Sequence, residues 1–232
     1  VVDYSFYGLN EDTVPLAPDS MQFGQALQRV LQKIYDADPK HGPSYLMKVD
    51  VSDGFYRVWV KTEDIPKLAI ALPPLPGLPR LVAFPLVLPM GWTESPPQFC
   101  ALTETVADMA NDAITGGADD RPHRLDALAD TPPETTPTKP PTLDMHHNHV
   151  GRHKRPLAYI DVFVDDFLGV AQGDPSRRTR IRRLLLQSFD EVFRPLEDDE
   201  GHRQEPVSVK KLLKGDAAWA VVKILLGWVV DS

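Results

Sequence analysis

The sequence predicts an α+β fold, on three observations. Two short apolar runs, 157–163 and 167–171, flank a Val-Asp-Asp turn, which is the pattern of a β-hairpin. A third run, 45–51, alternates in part and reads as a strand ending at an acid. Three further stretches, at 21–34, 95–113 and 175–193, repeat their apolar residues at helical spacing.

Taken in order, residues 1–20 are polar and turn-rich. The first helix is carried by Phe23, Leu27, Val30, Leu31 and Ile34 on one face, and Pro39, Gly42 and Pro43 break the chain after it. The strand at 45–51 follows, then a short turn of helix or strand at 55–60. Pro-rich extended chain runs on to Pro89, with strands expected at 68–72 and 81–88 and confined in part to edges by proline. Thr93 or Ser95 can cap the second helix, Pro96 and Pro97 suit its first turn, and Phe99, Leu102, Val106, Met109 and Ala113 form its stripe. Residues 115–155 are rich in Pro, Thr, Asp and His and poor in large apolar residues, so they read as a disordered insertion rather than a domain boundary. After the hairpin, the third helix buries Ile181, Leu184, Leu185, Phe189 and Val192 and turns its arginines outward. A charged bend at 210–216 precedes two strands, 219–222 and 224–230.

The chain of 232 residues suits one domain or one with a small appendage, and 42% hydrophobic residues suffice for a core. Cys100 is the lone cysteine, so an intrachain disulfide is excluded. No signal peptide is visible, and the apolar stretch 68–89 is too broken by proline to be a membrane helix. The net charge of −8 counts against a nucleic-acid binder, but it is uneven: 108–144 holds eight acids against three bases. Arg177, Arg178, Arg180, Arg182 and Arg183 form a basic run that either touches phosphates or is the wet face of the third helix, the latter being preferred. His146, His147, His149 and His153 lie in a proline-rich tract without cysteine partners and read as solvated chain rather than a metal site.

Two acidic sites stand out inside apolar runs, Asp50-Val51-Ser52-Asp53-Gly54-Phe55 and Phe163-Val164-Asp165-Asp166. Burying carboxylates is costly unless they are paired or bind metal, and three at two strand ends could hold two divalent cations. The bland alternative is that Asp165-Asp166 is a polar turn. Lys48-Val49-Asp50-Val51-Ser52-Asp53-Gly54-Phe55-Tyr56-Arg57-Val58 resembles motif A of reverse transcriptases. Leu88 to Phe99, with Pro89-Met90-Gly91-Trp92 and Ser95-Pro96-Pro97-Gln98, resembles motif B; Tyr159 to Asp166 resembles motif C; Leu225-Leu226-Gly227-Trp228 resembles the primer-grip motif. Val2-Asp3-Tyr4 and Leu9-Asn10 resemble the fingers segment before motif A. The motifs stand in the family's order, and their wording resembles the LTR-retrotransposon and retroviral branch.

The resemblance implies an RNA-directed DNA polymerase with a palm of antiparallel sheet backed by helices on one side, part of the fingers, and no thumb. It implies that Asp50, Asp165 and Asp166 are catalytic, and that they and the Val51 carbonyl bind Mg²⁺ or Mn²⁺. Asp53, Gly54, Phe55, Met90, Gly91 and Trp92 would form the nucleotide pocket, with Phe55 as a steric gate against a ribose 2′-OH. Leu226, Gly227 and Trp228 would steady the primer end, and Lys210, Lys211 and Lys214 are unranked candidates for a lysine near the pyrophosphate. The implied partners are an RNA or DNA template with primer and deoxynucleoside triphosphates, without a membrane, in a cytoplasmic particle or the nucleus. Met90 stands where many retroviral relatives carry glutamine, and the family's basic fingers residues, thumb, connection and RNase H regions would belong to a longer polyprotein. Two other readings stay open: an RNA-templated RNA polymerase, disfavoured by Phe55 and Val164, and an inactive or domesticated palm that binds nucleic acid or protein.

Overall fold

The computed structural model describes residues 3–6, 8–14, 21–77, 79–135, 137, 155–197 and 203–232. In chain order the elements are α1 (Leu9–Asp12), α2 (Ala26–Tyr35), β1 (Tyr45–Asp50), β2 (Ile70–Ala71), β3 (Val82–Ala83), α3 (Ser95–Gly116), α4 (Asp126–Ala129), β4 (Ala158–Phe163), β5 (Asp166–Ala171), α5 (Pro175–Phe193), β6 (Leu196–Glu197), β7 (Arg203–Gln204), α6 (Val209–Leu212), β8 (Val222–Leu225) and β9 (Trp228–Asp231). Mixed helices and antiparallel sheets make this an α+β chain. It divides into two compact units, one of residues 1–20 and 53–99, the other of 21–52 and 100–232. No helix among the described residues is long and apolar enough to cross a membrane.

The larger unit is organised on a three-stranded antiparallel sheet in the order β1-β5-β4. Side chains alternate across a strand, so the register sorts the two faces. Leu46, Lys48 and Asp50 share one face with Val170, Leu168 and Asp166. Val30 of α2 and Leu225 and Val230 of the β8–β9 hairpin join Leu46, Leu168 and Val170 in one buried cluster on that face. Asp161, also on that face, is buried, and Arg29 of α2 reaches it through Nε at 2.7 Å and Nη2 at 2.6 Å. A two-pronged pair of this kind compensates a carboxylate for its lost water and fixes the angle of α2 on the sheet. On the opposite face Phe167 meets Phe189 of α5 with ring centroids 4.5 Å apart. Helices therefore cover both faces of the sheet, where one covered face was expected, because β5 is apolar on both sides.

Helix α5 spans the expected residues and is started by Asp174, whose carboxylate accepts from Arg177 N at 2.8 Å ahead of Pro175. Helix α3 starts at Ser95, near where it was expected; of the two candidate caps, Thr93 and Ser95, the second is its first residue, and the Ser95 hydroxyl donates to the Pro89 carbonyl at 2.7 Å. The last two strands are displaced from their expected bounds: the turn falls at Leu226 and Gly227, with φ of 48° and 83°, because glycine admits the left-handed backbone that Lys223 would resist.

The expected disorder of 115–155 does not hold for its first part. Leu125 and Ala129 are buried, and residues between 118 and 130 are tied to α5. Arg183 binds Asp126 at 2.7 Å and Asp120 at 3.0 Å, Arg182 binds Asp130 at 2.5 Å and the Ala129 carbonyl at 3.0 Å, and Gln187 donates to the Arg121 carbonyl at 2.9 Å. The acids that made the segment look solvated are partners of the arginines that were expected to face water. Residues 138–154, with His146, His147, His149 and His153, lie outside the described residues, as do Val1 and Val2.

In the smaller unit, Trp59 bridges to Val87, Val60 N donates to Leu86 O at 2.9 Å, and Leu88 N donates to Val58 O at 2.9 Å. The strands expected at 68–72 and 81–88 shrink to the two-residue pair β2 and β3, since prolines remove donors on either side. Residues 54–57 form a 3-10 turn.

Candidate active site

The β1–β5 register sets Asp50 directly opposite Asp166 at one end of the sheet. Asp165 occupies the two-residue turn between β4 and β5, and its carbonyl accepts from Val51 N at 3.1 Å. The sequence thus brings Asp50, Asp165 and Asp166 to the same edge, as the motifs implied. The turn is held under backbone strain: Val164 has φ 57°, a left-handed value that a β-branched residue rarely adopts. Observed strain of this kind gathers where the position of a side chain matters more than local comfort.

Two lysines enter the same cluster. Lys48, on the same face of β1, places Nζ 3.3 Å from Asp166 and 3.8 Å from Asp50. Lys211 of α6 pairs with Asp50 Oδ1 and sits 3.9 Å from Asp166. Of the three candidate lysines, Lys211 is the one that reaches the acids; Lys210 and Lys214 are exposed. The signal for Lys48 in the sequence is its position two residues before Asp50, which puts both on one face of the strand. The segment carrying Lys211 is sewn to β1: Ser52 N donates to Pro206 O at 2.8 Å, Val51 bridges to Val207, and Ser208 N donates to Asp50 O at 2.9 Å.

The three carboxyls are driven apart. Burial first, and then the Asp166 carboxylate opposite, push Asp50 up to about 7 against the pull of Lys211 and Lys48. Burial and the Asp166 charge also raise Asp165. Burial works against Asp166 too, but its hydrogen bond with Asp50 and the charges of Lys48 and Lys211 outweigh it and hold that group below the usual carboxylate range. Asp50 is 1% exposed and its Oδ2 is buried without a hydrogen bond. That oxygen has only the Lys48 ammonium at 3.8 Å, beyond hydrogen-bond reach, so it keeps an unsatisfied acceptor beside a second carboxylate. The donors are all hard oxygens, so the set fits Mg²⁺ or Mn²⁺ better than a softer ion. Among the described residues no three or more His, Cys, Asp or Glu side chains are grouped so as to hold a metal ion, and lysine cations share the acids instead.

The residues assigned to a nucleotide pocket belong to the smaller unit. Asp53 holds φ 60° and Gly54 follows at φ 35°; Phe55 packs edge-to-face on Phe99 at 5.0 Å between centroids. Gly91 has φ 97°, which glycine tolerates, and Met90 beside it is 44% exposed. Asn10 braces this turn from both sides, giving Nδ2–H to Gly91 O at 3.0 Å and taking Thr93 N–H at 2.9 Å. Trp92 is half-buried and its Nε1 donates to Thr13 Oγ1 at 3.2 Å. The role of Asn10 as the brace went unread in the sequence because it depends on a pairing across 81 residues. Leu226, Gly227 and Trp228 form the tip of the β8–β9 hairpin, with Trp228 68% exposed.

The basic run of α5 is not simply a wet face, because its arginines have partners within the fold. Arg177 donates to the carbonyls of Gln172, Leu157 and Pro156, Arg178 stacks 3.4 Å from the centre of the Tyr45 ring, and Arg182 is fully buried. Against known proteins, no family model matches the chain, and no curated protein matches it.

Proposed function

We propose that the chain is the core of an RNA-directed DNA polymerase, adding deoxynucleotides to a primer 3′ end. The observation that carries this reading is the placement of Asp50 opposite Asp166, with Asp165 on the adjoining strained turn. Asp50, Asp165, Asp166 and the Val51 carbonyl would hold Mg²⁺ or Mn²⁺, which when bound would activate the primer 3′ oxygen and stabilise the leaving pyrophosphate. Lys48 and Lys211 balance the acids' charge and hold their spacing. In this reading Phe55 excludes a ribose 2′-OH, Gly91 lets backbone approach the incoming nucleotide beside Met90 and Trp92, Asp53 and Gly54 shape the turn below it, and Leu226, Gly227 and Trp228 steady the primer. The motif order supports the assignment to a retroelement, acting on an RNA or DNA template with deoxynucleoside triphosphates.

One observation favours a second reading, a palm that binds nucleic acid or protein without catalysis. Its acids are already paired with two lysines. Primer extension on poly(rA)/oligo(dT) with dTTP and either metal separates the two. The parent is expected to extend, and Asp165→Asn to lose about a hundredfold or more, the scale of removing one preorganised electrostatic partner. Equal extension by both proteins sinks the assignment of the site. No extension by the parent, nor by a chain lengthened at both ends, favours the binding reading.

A further inference from the structure

The hairpin between β2 and β3 carries a feature that the polymerase reading does not use. Leu72 N donates to Leu81 O at 3.0 Å, which closes the loop between them. Every described residue from 71 to 82 is exposed, including Leu72 at 40%, Leu75 at 54% and Leu81 at 48%. Four prolines, Pro73, Pro74, Pro76 and Pro79, fall in this stretch, and no charged residue lies between Lys67 and Arg80. Proline fixes its own φ near the polyproline II value, and the residue before a proline is kept out of the helical region. Leu72, Pro73 and Leu75 each precede a proline, so their backbones are biased toward the extended geometry of a polyproline II helix, which runs up to the turn at Pro76 and Gly77. That helix has three residues per turn, so Pro73 and Pro76 share one edge and Leu72 and Leu75 the next. Gly77, at φ 78°, then turns the chain away.

We propose that Pro73-Pro74-Leu75-Pro76 is a docking motif for a small partner domain whose groove is walled by aromatic rings, of the WW kind. Such grooves take a preformed polyproline II ligand, which loses little conformational freedom on binding. The apolar side chains are already out in water, and the proline-stiffened backbone presents them at little ordering cost. The uncharged epitope selects among these grooves: Arg80 lies beyond the Gly77 turn, so an SH3-type site that demands a basic anchor beside its prolines is not served. The inference is independent of the polymerase reading.

The test titrates the whole chain into a ¹⁵N-labelled WW domain that recognises Pro-Pro-Leu-Pro, with an SH3 domain as a second arm. Saturable shifts at the aromatic groove are expected, weakened at least about tenfold by Pro74→Ala with Pro76→Ala and by Leu75→Glu, and unchanged by Lys67→Ala at the hairpin base. Leu75→Glu alters an exposed side chain and guards against misfolding, which melting curves check for each variant. The proposal is overturned by absence of shifts at about 1 mM chain, by equal binding of the variants, or by preference for the SH3 domain. Self-association of the chain that the same variants abolish also overturns it, by making a second copy the occupant.

Discussion

At the scale of single residues, Asp50 and Lys223 carry the most legible electrostatics. Asp50 is raised to about 7 by burial and by Asp166. The folded chain therefore keeps a proton that the unfolded chain, near its ordinary value of about 4, has released. The resulting stability is complete below about pH 4 and is lost as pH rises through 7. Asp50→Asn should gain on the parent between pH 4 and 7 in metal-free melting, with the gap levelling off above 8. Three pKa units bound it at about 4 kcal/mol. A gap of constant size from pH 4 to 8 would refute the buried-acid account. Lys223 runs the other way. Its ammonium is buried, donates to Gly215 O at 3.2 Å and Ala218 O at 2.8 Å, and is lowered to about 8 by desolvation. Between pH 8 and about 10.5 the unfolded chain holds the proton that the folded one has lost, so stability rises with pH. Lys223→Met should be the more stable protein at pH 7, with an advantage that shrinks as pH approaches 10.5. An advantage that grows with pH over that range would contradict the sign.

At the scale of elements, residues 118–135 act as a strap that the fold depends on. Arg124 joins Asp190 of α5 to Glu205, donating to Asp190 Oδ1 at 2.7 Å and to Glu205 Oε1 at 2.9 Å. Glu205 precedes the stretch that holds β1 and Lys211. At the strap's end Pro132 and Pro133 lie so close to Gly215 that a β-carbon there would meet Pro133 N at 2.4 Å and Pro132 C at 2.7 Å. Gly215 also has φ 83°. Gly215→Ala should therefore cost about 2–4 kcal/mol in urea unfolding, from the left-handed backbone and the overlap together. Gly169→Ala should also be costly: its β-carbon would meet Met47 Cε at 2.6 Å and Cγ at 2.7 Å, and that side chain is fully buried. A Gly215→Ala cost below about 0.5 kcal/mol would show the strap to be loosely held. The sequence made the three long helices and the hairpin legible because their apolar residues repeat at fixed spacing. It hid the strap, because a chain with few apolar residues can still be held by ion pairs such as Arg183–Asp126, and spacing does not announce partners 57 residues apart. The acids were legible for the reason that hid the strap: Asp50 and Asp165 interrupt apolar runs where a charge needs an explanation. Lys211 was not, because its neighbours Lys210 and Lys214 have the same local chemistry, and packing alone separates them.

At the scale of the whole molecule, charge sets a constraint on any polymerase reading. The chain carries −8, and the arginines expected on the wet face of the third helix have partners within the fold. Arg180 reaches the Ala118 carbonyl at 2.5 Å, and Arg182 and Arg183 hold the strap. Lys48 and Lys211 face acids. The exposed bases nearest Lys211 along the chain are Lys210 and Lys214. Nucleic-acid affinity carries a salt dependence of about −0.9 per neutralised phosphate on duplex. A footprint of a few lysines then gives a shallow line: the logarithm of the binding constant for a primer–template should fall with log salt at a slope no steeper than about −4. Lys210→Ala with Lys214→Ala should weaken binding to all sequences alike and reduce the slope by up to about 2, since these would be phosphate contacts and read no bases. Fluorescence anisotropy from 50 to 200 mM salt measures both. A slope steeper than about −6 that the double variant leaves unchanged would mean that a larger basic face lies elsewhere on the chain, and that the local-footprint account of this acidic protein is wrong.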